Sequence, residues 1–317
     1  MDPIATREAC GLTLARLGRT NKNIIVLDAD LSGSTKSIIF AKEFPERFFN
    51  YGVAEQNMTA SAAGIASCGK VVFIHTFAIF ASGRAWEQVR NGITAGGFNV
   101  KIVGSHGGIS VGADGLSHQC IEDISLMRTI PGMVVIVPSD RIETEKVIEK
   151  AAEYNGPVYI RTSRSKSPIV NKKNYRFEIG KGNILQDGTD VTIIACGVMV
   201  EPALNAAKAL VASKIHARVV NMACIKPVDK EMIIKAARDT GAIITVEDHT
   251  VIGGLGSAVA EVLGEECPVP LKRIGVLDTF GESGDPKELF KKNGLTAENI
   301  VASCQLLVVR KKSESKN

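Results

Sequence analysis

Gly104-Ser105-His106-Gly107-Gly108-Ile109-Ser110-Val111-Gly112-Ala113-Asp114-Gly115-Leu116-Ser117-His118-Gln119 follows the apolar run Val100 to Val103. The stretch holds five glycines, one aspartate and two of the chain's five histidines. Glycine at that density permits positive φ angles and lets other groups come close to the backbone. A long glycine-rich connection in a compact domain is uncommon and usually functional or disordered. Its polar residues can exchange protons and donate to anions, which predicts a small-molecule site. The competing reading is a flexible surface loop.

Outward from this loop, apolar runs of four to six residues alternate with helical patterns. Strands are expected at residues 23–27, 71–74, 100–103, 133–137 and 158–160, with helices at 54–67, 85–94 and 140–152. Uninterrupted Val/Ile runs bounded by turn residues suit strands covered on both faces, as in parallel sheets. Ser139-Asp140 with Glu143 has the form of a capped helix start. A polar, turn-prone stretch near residues 165–184 then breaks the pattern. A second series follows, with strands at 191–195, 217–221, 242–246 and 270–274 and helices near 200–211, 230–237 and 257–263. The fold class expected is α/β with two domains, each a mostly parallel sheet flanked by helices. Their bounds are 1–165 and 187–317, with a linker over 166–186.

Of the 317 residues, 45% are hydrophobic and 23% charged, as in an ordinary globular protein. The net charge of +4 has no sustained basic run except Arg310 to Lys312, and no aromatics interleave with it. Nucleic acid is therefore not an expected partner. No stretch reaches the roughly 18 apolar residues of a membrane span, and Met1 to Arg7 lacks the apolar core of a signal peptide. Seven scattered cysteines, never spaced Cys-x-x-Cys, predict reduced thiols and a cytoplasmic location rather than a disulfide framework or a zinc site.

Several residues could carry chemistry. Asp28 to Thr35 follow the first strand, where open α/β sheets bind ligands, so Ser34 or Thr35 could donate to an anion; plain N-capping is the alternative. Glu55 opens a helix of small residues suited to close helix approach, and a glutamate there is commonly structural. Buried at an interface, it would become a credible proton donor. Phe77 and Phe80 are core residues or a platform for a planar ligand. Arg164, after a strand, could hold a phosphate through its planar fork or form a surface ion pair. His106, Asp114 and His118 lack the companions of a metal site, so no metal is assigned to this chain.

Four motifs in order, Gly52-Val53-Ala54-Glu55-Gln56, Thr76-Phe77-Ala78-Ile79-Phe80, Gly112 to Gln119 and Pro138-Ser139-Asp140, resemble the pyrimidine-binding and C-terminal domains of transketolase. The resemblance covers nearly the whole chain. It implies the cofactor thiamine diphosphate, bound between two subunits. Glu55 matches the carboxyl that hydrogen-bonds the aminopyrimidine and drives its imino tautomer, which removes the thiazolium proton. Phe77, Phe80 and Asp30 match the pyrimidine surroundings. His106, Asp114 and His118 match residues that handle substrate hydroxyls and proton transfers. Ser34, Arg164 and His106 match the sugar-phosphate end. The catalytic set implied is Glu55, His118 and His106.

Two departures stand out. Gly83, followed by Arg84, replaces the family's third pocket aromatic, and the diphosphate-binding domain, with its Gly-Asp-Gly and downstream Asn for magnesium, is absent from the sequence. The chain thus resembles the C-terminal half of a split transketolase of the pentose phosphate pathway. It should be inactive until an N-terminal subunit, supplying the magnesium ligands, joins it in a heterotetramer. The β subunit of a 2-oxo acid dehydrogenase E1 component has the same size and domain pair, and deoxyxylulose phosphate synthase shares much of the loop. A regulatory pseudo-subunit is the non-enzymatic alternative. The aspartate and histidine of the loop suit polyhydroxylated sugar phosphates and favour transketolase.

Overall fold

Hydrogen bonding between neighbouring Val/Ile runs settles the architecture. The computed structural model describes residues 2–314, and side chains through residue 311. Its first sheet uses β1 (Ile24–Asp28), β2 (Phe48–Asn50), β3 (Val71–Phe77), β4 (Val100–Ser105), β5 (Val134–Ile136) and β6 (Val158–Thr162). The second uses β7 (Asn183–Gln186), β8 (Val191–Ala195), β9 (Ala217–Asn221), β11 (Ile243–Thr250) and β12 (Leu271–Val276), while β10 (Cys224–Lys226) returns to the first. The orders are β10-β5-β6-β4-β3-β1-β2 and β12-β11-β8-β9-β7. Among these strands only β10 against β5 and β7 against β9 pair antiparallel, and an isolated antiparallel bridge joins Ala5 to Lys166. Two α/β units with mostly parallel sheets flanked by helices are therefore present, as the sequence pattern implied.

Short or half-covered elements escaped the pattern. β7 lies within residues read as linker, and every one of its residues is only partly buried, so no alternation marks it. β10 has three residues, too few to show a period. The helix Thr6–Thr20 went unread because much of its buried face is small, including Ala9, Cys10, Gly11, Ala15 and Gly18. A Cβ on Gly11 would lie 2.4 Å from the Lys36 carbonyl oxygen, so close packing requires glycine there. The expected α-helix over 85–94 is corrected: Gln88–Thr94 is π-helical, as is the preceding turn Phe80–Arg84. Such widened turns often occur at functional sites. The helix Arg141–Glu153 does start as read, with Asp140 accepting from the Glu143 N–H at 2.8 Å and Glu143 accepting from the Ser139 N–H at 2.7 Å.

One apolar cluster runs through both units, joining Ile74, Ile102 and Tyr159 of the first to Ile194, Val220 and Ile225 beyond the linker. Close-packed contact of this kind fixes one unit against the other. Register then aligns the strand ends on one edge, with Ser105 opposite both Phe77 and Thr162, and Asp28 opposite His75. The chain turns back between β1 and β3, the switch point at which open parallel sheets bind ligands. No described helix is long and apolar enough to cross a membrane.

Candidate active site

Phe77 ends β3 and Phe80 begins the π turn after it, which lays the two rings nearly parallel at 11° with centroids 6.0 Å apart. His106 follows β4 with φ of 62° and stacks on Phe77 at 4.0 Å. His118 meets Phe77 and Phe80 edge-on at 5.9 and 5.6 Å. The glycine-rich loop therefore folds both histidines back onto the aromatic pair.

Burial, helped by the charges of Arg7, Arg164 and His118, pushes the His106 imidazole down to about 3, so it is neutral at ordinary pH. Arg7 Nη1 lies 3.2 Å from its Nε2 and can only donate, so Nε2 accepts. The proton then sits on Nδ1 and points to Ser105 Oγ at 2.8 Å.

Glu55 opens the helix Glu55–Ser67, where the dipole favours its charge. Its side chain is 1% exposed, and Arg84 Nη1, on a side chain 47% exposed, reaches both carboxylate oxygens at 2.9 and 3.1 Å. The same guanidinium lies 4.7 Å from the Phe80 centroid. Gly83 beside it is exposed, and a Cβ there would meet nothing within 4 Å. Position 83 therefore adds no third wall beside the rings, and the Arg84 guanidinium lies over Phe80 instead.

On the opposite side, Arg7 and Arg164 line a cavity of about 510 Å³ with Ser110, Val111, Ala113 and Ser165. Arg7 donates to the Ser34 carbonyl at 2.6 Å, and Arg164 to the Val111 carbonyl at 3.0 Å and to Asp114 Oδ2 at 3.2 Å. Burial, and then the charge of Arg164, lower the Arg7 pKa. An anion in the cavity would relieve both costs. Arg7 was missed in the sequence. The one available signal was a cation in the first turn of a helix, where the dipole opposes it.

Eight of the residues singled out in the sequence are linked in this way: Phe77, Phe80, His106 and His118 as one cluster, Asp114, Arg164 and the Ser34 carbonyl through the two arginines, and Glu55 through Arg84 over Phe80, whereas Thr35 is buried and donates to Asp28 at 2.8 Å. Asp30 stands apart, exposed at φ of 64° and bonded to Asn50. A buried carboxylate whose partner is a half-exposed guanidinium, next to stacked rings, fits a planar heteroaromatic base that can share a proton and displace that guanidinium. Among the described residues, no group of three or more His, Cys, Asp and Glu is placed to hold a metal.

Residues 2–169 match the family model of the transketolase pyrimidine-binding domain, and residues 180–300 that of the transketolase C-terminal domain. The chain is 54% identical over 297 residues to a putative transketolase C-terminal section of Methanocaldococcus jannaschii, covering 93% of each. It is 42% identical over 313 residues to the transketolase of Rattus norvegicus, covering 98% of this chain and 50% of that one. A solved structure described as a split-gene transketolase, an inactive β4 tetramer, is 54% identical with a TM-score of 0.91, covering 97% of this chain and 99% of that chain. Transketolases use thiamine diphosphate, and with the family's pyrimidine-binding and C-terminal domain models matched in order along its length, this chain belongs to the transketolase family.

Proposed function

We propose that the chain is the C-terminal subunit of a split transketolase. It would transfer two-carbon ketol units between sugar phosphates, with thiamine diphosphate at its interface with an N-terminal subunit. The observation that carries this reading is the order of groups along one strand edge. Glu55 lies at one end, the cavity of Arg7 and Arg164 at the other, and the two histidines between them. Such an order suits a cofactor ring, a reacting centre and a phosphate in sequence. The chain's match to half of the rat enzyme supports a second chain carrying the diphosphate and magnesium sites.

When bound, thiamine diphosphate supplies the nucleophilic carbon that takes up the ketol unit. Glu55 shares a proton with the pyrimidine nitrogen, once Arg84 yields one carboxylate oxygen. Phe77 and Phe80 hold the ring plane. His106, neutral, would receive a hydrogen bond from a substrate hydroxyl at Nε2 once Arg7 turns from that nitrogen to the phosphate. His118 moves a proton at the reacting carbon's oxygen, and Asp114 orients a further hydroxyl. Arg7, Arg164 and Ser34 hold the phosphate, the arginines through their planar forks. Two copies of each chain would make a heterotetramer.

The test is to mix the purified chain with the N-terminal transketolase subunit of its own genome, thiamine diphosphate and magnesium, and to supply xylulose 5-phosphate and ribose 5-phosphate. Ketol transfer that needs both chains is expected. Oxidative decarboxylation of pyruvate in its place would overturn the reading in favour of the E1 β alternative.

A further inference from the structure

The glycine-rich loop belongs to the first domain, yet a side chain of the second holds its root. Asp248 sits on β11, 3% exposed. Its Oδ1 accepts from the Ile109 N–H at 2.9 Å and its Oδ2 from the Ser110 N–H at 3.3 Å. Its backbone carbonyl accepts from Arg161 Nη1 at 2.8 Å, while Arg161 Nη2 donates to the Cys120 carbonyl beyond the loop's other end at 2.9 Å. Arg161 is also paired with Asp123, 3.0 Å away. The loop backbone is shaped to this contact. A Cβ on Gly107 would lie 2.0 Å from Arg161 Nε, and one on Gly108, at φ of 84°, would lie 2.1 Å from Asp248 Oδ2. Further along, Gln119 Nε2 donates to the Gly112 carbonyl at 2.9 Å and to the Glu282 carbonyl of the second domain at 2.8 Å.

We propose that Asp248 is a positioning residue: the second domain, through this carboxylate, fixes the loop that carries His106, Asp114 and His118, and so sets the geometry of substrate binding. Charge-assisted bonds to two successive backbone N–H groups are strong and directional. His106 lies three residues before the first of them, and Val111, which holds Arg164, is one residue past the second. Releasing them would disturb the sugar-phosphate end while Glu55, on another helix, keeps its place.

The consequence for substrate rests on the transketolase reading; the consequence for loop order does not. In Asp248→Asn, amide hydrogen exchange over residues 107–112 of the purified chain should speed up by about tenfold or more, the loss expected for bonds to a charged acceptor. In the two-chain complex, KM for the phosphorylated sugar should rise by about tenfold with kcat changed less than about threefold. Gly108→Ala, which crowds the same carboxylate without removing it, should move both readouts in the same direction, and it replaces Asp248→Asn should that variant not fold. Unchanged exchange in the folded variant, or a loosened loop with unchanged KM, overturns the proposal. Absence of ketol transfer by the wild-type complex sinks the proposed function alone, and the exchange measurement then decides whether Asp248 holds the loop.

Discussion

Arg84 and Glu55 form a one-sided pair: a single nitrogen, Nη1, reaches both carboxylate oxygens at 2.9 and 3.1 Å, while the guanidinium covers the Phe80 ring at 4.7 Å. The arginine thus occupies the carboxylate and ring that a pyrimidine would need. Removing it leaves a buried carboxylate without its partner. Arg84→Ala should therefore lower the stability of the cofactor-free chain by about 1–3 kcal/mol. The double variant with Glu55→Gln should lose less than the sum of the two single changes. Denaturant titration of the four chains checks this, and strict additivity would show that the pair contributes nothing.

Glu55→Gln keeps the shape of the side chain and removes the carboxyl that can give and take a proton. The variant should fold and assemble with the partner subunit as the wild type does, while turnover falls by about 10²–10⁴-fold, the range for loss of a positioned acid or base. Steady-state kinetics alongside sedimentation of the complex separates the two effects. Near-normal turnover would refute the assigned role.

The two arginines make a prediction that distinguishes phosphate recognition from packing. Arg7→Ala and Arg164→Ala should each raise KM for phosphorylated sugars by about ten- to a hundredfold, in keeping with the loss of a charge-assisted contact. KM for the corresponding free sugar should rise far less, only as far as His106 and Asp114 lose a partner. Equal damage with both substrates would mean that the guanidiniums only brace Ser34 and Val111.

Lys101 supplies a pH signature unrelated to catalysis. Its ammonium is buried in β4, donates to the Tyr154 and Gly156 carbonyls at 2.7 and 2.6 Å, and is pushed by burial from 10.5 down to about 7. The folded state binds the proton less tightly than the unfolded state. Wild-type stability should therefore rise relative to Lys101→Met as pH increases from about 7 to 10.5, and stay level relative to it below about 7. Chemical denaturation of both proteins across that window measures the difference; parallel curves would mean the lysine titrates normally.

The roles of Glu55, His106 and His118 are legible only through the resemblance of ordered motifs to transketolase, whereas strands and caps are legible from the residues themselves. β8 and β9 were legible to the residue because continuous apolar runs between turn residues have few alternative structures. The cap at Asp140 was legible because its partner lies three residues away. Arg7 was not, because it reaches His106 across 99 positions. Asp248 was not either: it meets the loop across 139 positions and sits in a strand that reads as ordinary core.

Sequence alone therefore determined what is local: strand and helix periods, the glycine content that lets the loop bend sharply, and the identity of the groups available for proton and phosphate chemistry. Tertiary structure decided what depends on approach between distant segments. It added β10 to the first sheet, gave Arg84 to Glu55 and Arg7 to His106, and placed a second-domain carboxylate under the loop. The physical reason is that hydrogen bonds and charge pairs act over a few ångströms in space, whatever the distance along the chain, and only the packed fold sets which groups come that close.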